Sequence, residues 1–359
     1  MTSIKAYGEK QKMDDNILEV HDFSVSFTTY AGEVQAVRGV NFEVGRGEIV
    51  AIVGESGSGK SVMTQSIVKL LPSPPAVIKS GSVILAGKDI SGFNFHQLRQ
   101  IKGKEIAYIF QDPMTSLNPT IKIGNQIIEG ILSHSRTRRS DAKKRAVELL
   151  REVGIPNPEK RMDQYPHELS GGMRQRVMIA SAIAMGPKLL IADEPTTALD
   201  VTIQSQILGI LKDINQRLGM AVILITHDMG IVANMAQRVI VMYGGKIVET
   251  GGAIEIFEAA QHPYTRSLLA SVPRLDADSN KPLEFILGSP PDMLDPAPGC
   301  PFAPRCRFSM KVCWVRMPER IVSGEGHSVY CHLMDERAAA QKLRFVQEYA
   351  EPHLEEMEL

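Results

Sequence analysis

Residues Ile49 to Ser61 read IVAIVGESGSGKS, a short apolar run that breaks into a glycine-rich turn and ends in Gly-Lys-Ser. Gly54, Gly59, Lys60 and Ser61 match G-x-x-x-x-G-K-[ST] between a strand-like run and the helix-like SVMTQSIVKLL, the context that this motif requires. The stretch reads as a phosphate cradle. Gly54, Gly57 and Gly59 let the backbone turn with positive φ and come close to a polyphosphate, so that successive N–H groups of the loop, those of Glu55, Ser56 and Ser58 included, converge on its oxygens. The helix that begins here adds its positive end. Lys60 supplies a mobile point charge for the β- and γ-phosphates, and the Ser61 hydroxyl is placed to ligate Mg²⁺.

The chain has 359 residues, enough for about two domains, and its 43% hydrophobic and 23% charged residues are those of a globular protein with a real core. Forty Lys and Arg stand against 41 Asp and Glu, a net charge of -1 that argues for no particular partner and against a dedicated nucleic-acid binder. No stretch approaches the roughly 18 uninterrupted apolar residues of a membrane span. The polar tail MTSIKAYGEKQKMDDN, residues 1–16, carries no apolar signal region. The expectation is a cytosolic protein, able to sit on a membrane through a partner. Cys300, Cys306, Cys313 and Cys331 all fall in one C-terminal stretch, a bunching that a common ligand explains.

On either side of the cradle the pattern is mixed. ILEVHDFSVSF and VQAVRGVNFEV alternate apolar and polar residues around an Ala-Gly-Glu turn, as paired strands do, and SGSVILAGKDI reads as another strand with a glycine turn. KEIAYIFQDP is a compact apolar strand ending in Gln111. Residues 120–165 read helical, with Ser140 as a cap and a basic run, RTRRSDAKKR, inside them. That run is either a nucleic-acid patch or a solvated helix face; its interleaving with Val147, Leu149 and Leu150 at helical spacing favours the face. Next, LSGGM opens a helix whose Val177, Ile179, Ala180 and Ile183 form a buried side, and KLLIADE is a buried strand ending in two carboxylates. The later strands MAVILIT, RVIVMYG and KIVETG alternate with helices, so the fold class is α/β with a mostly parallel central sheet.

Phosphoryl transfer asks the protein for positioning and charge stabilisation rather than covalent work. An acid at the end of a buried strand beside the cradle, Asp193, is placed to hold Mg²⁺. Glu194, one residue on, is placed to polarise an attacking water as general base. Gln111 and His227 are polar groups at strand ends that can face the γ-phosphate.

Taken in order, the phosphate loop, Gln111, LSGGMRQR, LLIADE, the Ala-Leu-Asp of 198–200 and His227 resemble the nucleotide-binding subunit of an ATP-binding cassette (ABC) transporter. The likeness covers residues 17 to about 255. It implies a P-loop NTPase cassette with a RecA-like α/β core, an antiparallel β-subdomain and a helical signature subdomain at about residues 112–185, with ATP and Mg²⁺ as its ligands. Mg²⁺ would be held through Ser61, Gln111 and Asp193, and Glu194, His227 and Gln111 would serve catalysis. Ser170, Gly171 and Gly172 resemble the signature that caps the γ-phosphate bound by an opposite subunit, and Asp200 the acid lying across that interface. An aromatic ahead of the loop stacks on adenine in this family; Phe27 is the first candidate by position and Tyr30 the second. The segment after Gln111, DPMTSLNPTIKIGNQI, resembles the lining of a groove that receives a short helix from a membrane subunit.

Beyond residue 255, AQHPYTRSLLASVPRL and the Pro- and Cys-rich stretch to about 335 resemble the C-terminal extension of dipeptide and oligopeptide importer ATPases. Disulfides do not persist in a reducing cytosol, and the short C-x2-4-C pairs favoured by zinc are absent. Four thiolates at irregular spacing suit iron–sulfur, and the resemblance suggests a [4Fe-4S] cluster; zinc, or unligated or disulfide-bonded cysteines, are the alternatives. Residues 336–359 form an acidic, helical tail. The implied activity is ATP hydrolysis that energises peptide import at the cytoplasmic face of the membrane. The implied partners are a second, related ATPase, two permease subunits and, indirectly, an extracytoplasmic peptide-binding protein; no nucleic acid is expected. Nickel or another solute is the alternative cargo. Soluble ABC ATPases of DNA repair or translation fit less well, because there is neither a heptad run between Ser61 and Ser170 nor an internal repeat.

Overall fold

The computed structural model describes residues 16–112, 116–197, 199–271, 286–324 and 326–350. The expected polar tail thus lies outside the described residues, save Asn16, which already opens the first strand. Alternating apolar residues make Asn16–Thr29 (β1) and Gly32–Gly45 (β2) an antiparallel hairpin in which Phe23 stands opposite Val40 and Phe27 opposite Val34. After Ile49–Val53 (β3) and the helix Lys60–Ile67 (α1), Ala76–Leu85 (β4) pairs with the free side of β1, and Lys88–Asp89 (β5) completes a sheet of order β2-β1-β4-β5.

The second sheet is the larger. Following Phe95–Ile101 (α2) come Ile106–Ile109 (β6), Leu189–Asp193 (β7), Ala221–Ile225 (β8) and Arg238–Tyr243 (β9), which with β3 form a parallel core of order β9-β3-β8-β7-β6. Lys246–Gly252 (β10) turns back antiparallel to β9. The short strands Ile321–Val322 (β11) and Ser328–Val329 (β12) extend that edge, with Thr250 opposite Ser328. Part of the cysteine-rich segment is therefore built onto the edge of the large sheet.

The two-residue period of β7 and β8 divides the interior. Ile191, Ile223 and Ile225 pack with Phe23, Val40 and Met63 under the antiparallel sheet. Leu190, Ala192, Val222 and Leu224 face the opposite way, toward a helical layer. That layer consists of Ile123–His134 (α3), Arg139–Glu152 (α4), the single turn Pro158–Arg161 (α5) and Gly171–Ile183 (α6). Ala142, Ala146, Leu149 and Leu150 bury one side of α4, while Lys143 and Lys144 are exposed. Ser140 does not cap this helix: Arg138 holds the cap position and its carbonyl accepts from the N–H groups of Asp141 and Ala142, so Ser140 falls inside the first turn.

Val201–Leu218 (α7), Met229–Met235 (α8), Ala253–Ala259 (α9) and Pro263–Ala270 (α10) follow, then Lys311–Val315 (α11) and Ala339–Ala350 (α12). Phe345 of α12 is buried edge-on against Phe308, the ring centroids 5.2 Å apart. Among the described residues no helix is long and apolar enough to cross a membrane.

One buried carboxylate joins the pieces at the edge. Glu249 on β10 is fully enclosed and accepts from the backbone N–H groups of Gln261 (2.6 Å) and His262 (3.0 Å), with His327 Nε2 at 2.8 Å. Removing the acceptor leaves those buried donors unsatisfied at a cost of about 1–3 kcal/mol each. Glu249→Leu is expected to lower the chemical-denaturation midpoint clearly and to expose residues beyond 260 to limited proteolysis; an unchanged midpoint and digestion pattern would contradict this.

Candidate functional site

Three glycines of the phosphate loop adopt positive φ: Gly54 at 147°, Gly57 at 77° and Gly59 at 97°. A Cβ on Gly54 would run into the Met242 carbonyl oxygen of β9, and one on Gly59 into the Ala36 carbonyl oxygen of β2. The loop is thus wedged between the two sheets at a spacing only glycine allows. Lys60 reaches back over it, donating from Nζ to the Gly54 and Glu55 carbonyls at 2.7 and 2.9 Å, with Ser58 Oγ at 3.3 Å. Burial lowers the pKa of this ammonium, against the pull of Glu194, Asp193 and Glu55.

The strand end beside the loop carries the acids. Asp193 is 2% exposed. Its Oδ1 accepts from Ser61 Oγ at 2.9 Å and its Oδ2 from the Tyr108 hydroxyl at 2.8 Å. Burial nevertheless holds the carboxyl above the usual carboxylate range and pushes the Tyr108 phenol up as well. A hydroxyl and a buried, under-compensated carboxylate are hard oxygen donors that fit Mg²⁺. Tyr108 belongs to no sequence motif; only the pairing of β6 with β7 places it there.

Glu194 lies just past β7 with φ at 45°, and its N–H donates to the Ile225 carbonyl at 2.9 Å. Its Oε2 accepts from Gln111 Nε2 and from Thr197 Oγ1, both at 2.8 Å, and His227 Nδ1 stands 3.2 Å from Oε1. The structure therefore gathers Glu194, Gln111 and His227 as one cluster and adds Thr197 to it. Gln111 bonds this carboxylate rather than the Ser61–Asp193 pair.

The remaining expected groups stand on other surfaces. Ser170 caps α6, its Oγ accepting from Met173 N–H at 3.4 Å, and Ser170 and Gly171 are exposed. Gly172 lets α6 approach α7 closely: a Cβ there would lie 2.6 Å from Ile203 Cγ2. Asp200 is exposed and caps α7 by accepting from Ile203 N–H at 3.0 Å. Among the described residues no hydrogen bond joins Ser170 or Asp200 to this chain's own phosphate loop. Phe27 is half-buried in the sheet between Val34 and Ala76, whereas Tyr30 projects fully into solvent from the hairpin tip.

Cys300, Cys306, Cys313 and Cys331 line one small apolar cavity with His262 and Phe302, and all four thiols are free. Burial pushes Cys300 up to about 11 and Cys306 to about 12, and raises Cys331. It lowers His262 to about 4, so the imidazole 3.9 Å from Cys300 Sγ is neutral. The expected cysteines come together, yet among the described residues no three His, Cys, Asp or Glu side chains are arranged as a metal-holding group.

Residues 37–197 match the ABC transporter family and residues 248–313 the oligopeptide/dipeptide transporter C-terminal region. The oligopeptide transport ATP-binding protein OppD of Bacillus subtilis (strain 168) is 54% identical over 89% of this chain and 89% of its own length. The chain belongs to the oligopeptide/dipeptide ABC transporter ATPase family. The dipeptide transport ATP-binding protein DppD of the same organism is 51% identical, over 90% of this chain and 96% of that relative. Among solved structures, the dimeric cassette MJ0796, in a post-hydrolysis state bound to ADP and Pi, is similar with a TM-score of 0.59 and 27% identity, covering 66% of this chain and 98% of that one. The CbiO1 subunit of Clostridium perfringens gives 0.57 and 31%, over 68% and 92%. This ABC ATPase is accordingly an ATP-hydrolysing enzyme with the P-loop cassette fold.

The buried acid of this ABC ATPase has a measurable signature. Because the Asp193 carboxyl titrates above its unfolded value, its charge opposes folding at neutral pH and ceases to do so as pH falls through the raised pKa. Without nucleotide, Asp193→Asn should raise the melting temperature at neutral pH, and the gain should shrink on acidification. A gain independent of pH, or a loss at neutral pH, would contradict the assignment of burial as the dominant cause.

Proposed function

We propose that this chain is the ATP-hydrolysing subunit that energises import of oligopeptides or dipeptides, working from the cytoplasmic face of the membrane as a peripheral subunit bound to two permeases. The observation that carries the reading is Glu194: a carboxylate held by Gln111, Thr197 and His227, next to the Ser61–Asp193 pair. Mg²⁺ supplies charge neutralisation at the β- and γ-phosphates when bound, and Ser61 and Asp193 are the residues that would hold it. Lys60 and the N–H groups of Ser56, Gly57 and Gly59 to Ser61 take the phosphates, since the expected Glu55 and Ser58 N–H groups donate instead to the Tyr264 hydroxyl and the Glu55 carbonyl. Glu194 takes a proton from the attacking water.

The exposed signature, Ser170 to Gly172, and Asp200 complete the site of a second, related ATPase, whose own signature completes this one; the exposed end of α6 supports that exchange. The fully exposed Tyr30 is a better adenine platform than Phe27, whose ring is committed to the sheet. The permease contact is a groove of about 300 Å³ lined by Leu70, Tyr108, Phe110, Leu117 and Met178, beside the strand that delivers Gln111. Residues 113–115 of the expected lining lie outside the described residues. The cassette spans residues 17–255, with helical elements at about 112–185, and the importer-type extension 256–335 precedes the tail 336–359.

In the extension, four soft thiols around one apolar cavity support a [4Fe-4S] cluster with a structural role. Protein prepared without oxygen should be brown and contain iron and acid-labile sulfide, and Cys306→Ser should lose the colour. A colourless wild type containing zinc would replace the cluster with a zinc site.

The assembled complex, reconstituted with permeases and a peptide-binding protein, tests the central reading. Glu194→Gln should keep MgATP binding while ATP turnover falls about 10²-fold or more and peptide uptake stops. Unchanged hydrolysis would remove Glu194 from its role, and ATP turnover without peptide movement would remove the peptide.

A further inference from the structure

Glu55 is the first residue of the phosphate loop after Gly54, and two residues from far along the chain hold it. Its N–H donates to the Tyr264 hydroxyl at 2.7 Å. Its Oε2 accepts from Arg305 Nη1 at 2.7 Å. The Arg305 side chain is 6% exposed and its other donors are used as well: Nη1 to the Tyr243 hydroxyl (2.9 Å), Nε to the Leu287 carbonyl and Nη2 to the Ile286 carbonyl (both 2.8 Å). The guanidinium also lies over the Tyr243 ring, 5.8 Å from its centroid. Arg305 ends the short turn Ala303–Arg305 between Cys300 and Cys306, while Tyr264 sits in the first turn of α10. The same segment is anchored to β2, Gln35 N–H donating to the Met293 carbonyl at 2.8 Å and Arg38 Nη2 to the Ala297 carbonyl at 2.9 Å. Arg305 is thus fixed in the fold and aimed at the loop.

We infer that Arg305 is a positioning residue for ATP binding, which holds the Glu55 carboxylate in an ion pair so that Lys60 is left to the phosphates, while Tyr264 fixes the Glu55 backbone. Lys60 already donates to the Glu55 backbone carbonyl at 2.9 Å, so an unpaired Glu55 carboxylate would have this buried ammonium within reach as an alternative partner. At the buried Lys60 ammonium that pairing competes with the triphosphate, and a free carboxylate also repels the incoming anion. The cysteine-bearing turn therefore sets the charge balance of the phosphate loop. This inference rests on the assignment of Lys60 to ATP in the proposed function.

The test is a charge rescue in the full chain, read as equilibrium affinity for a fluorescent ATP analogue with Mg²⁺, and as KM and kcat for ATP in the assembled complex. Arg305→Met should weaken binding and raise KM about tenfold, with kcat within about twofold. Adding Glu55→Gln to that variant should recover most of the affinity, because the competing charge is gone. A purely structural role for Arg305 predicts that the second substitution recovers nothing, and that result would overturn the inference, as would an unchanged KM in Arg305→Met. Should the Met variant not assemble, Arg305→Gln, which keeps a hydrogen-bond donor without the charge, carries the same two outcomes. Wild-type chain that fails to bind MgATP would overturn the proposed function along with this inference. Wild type that binds, with Arg305 variants that bind equally well, would overturn this inference alone.

Discussion

Backbone crowding at Gly54 and Gly59 is the constraint on which the rest of the molecule depends. Both sites leave no room for a side chain because the Met242 and Ala36 carbonyls close in from two different sheets. The loop between β3 and α1 is consequently the seam where the parallel core and the antiparallel hairpin meet, and that crowding holds its backbone in one conformation. Donors fixed in advance cost no reorganisation at the moment of use, which is why such a seam is a better phosphate site than a mobile glycine turn of the same composition.

Charge is arranged around that seam so that neither sign is comfortable alone. Lys60 and Asp193 are both buried, and burial disfavours the charged form of each. In the proposed site, Mg²⁺ and a triphosphate would supply the opposite charge to both at once. A ligand that relieves strain in one arrangement more than in another shifts the equilibrium between them, and this differential is the only source from which nucleotide binding can move a partner. The cluster around Glu194 fits that scheme, since Gln111 comes from the end of β6, beside the apolar groove, and His227 from the end of β8.

The C-terminal segment is tied into the cassette at several points. Its short strands continue the large sheet, the Glu249 carboxylate binds backbone ahead of α10, and Arg305 reaches the phosphate loop. A segment rich in turns has little core of its own, and here it borrows one: Phe302 packs among Tyr243 and Tyr264 at 5.2 and 5.3 Å between ring centroids. Burial in that apolar packing raises the Cys300, Cys306 and Cys331 thiols, so any cation seated among them must compensate for the loss of those protons.

Sequence alone determined what is local: the strand-to-helix turn of Gly54 to Ser61, the buried run Leu189 to Asp193, the helix opening at Ser170, and the ordered set of Gln111, Glu194 and His227. Those features are legible because glycine spacing, apolar period and chain order encode them within a few residues. Tertiary structure alone decided which groups share a carboxylate. Tyr108 reaches Asp193 across 85 residues of chain, and Arg305 reaches Glu55 across 250. Tyr108, Arg305 and Thr197 carry no pattern of their own, and the run that contains Tyr264 does not name its partner, since a hydroxyl or a guanidinium acquires its role only from the group that strand pairing or packing brings within hydrogen-bond distance. The same holds for Phe27 and Tyr30, two aromatics alike in sequence, one committed to a sheet and the other left in solvent by where the hairpin turns.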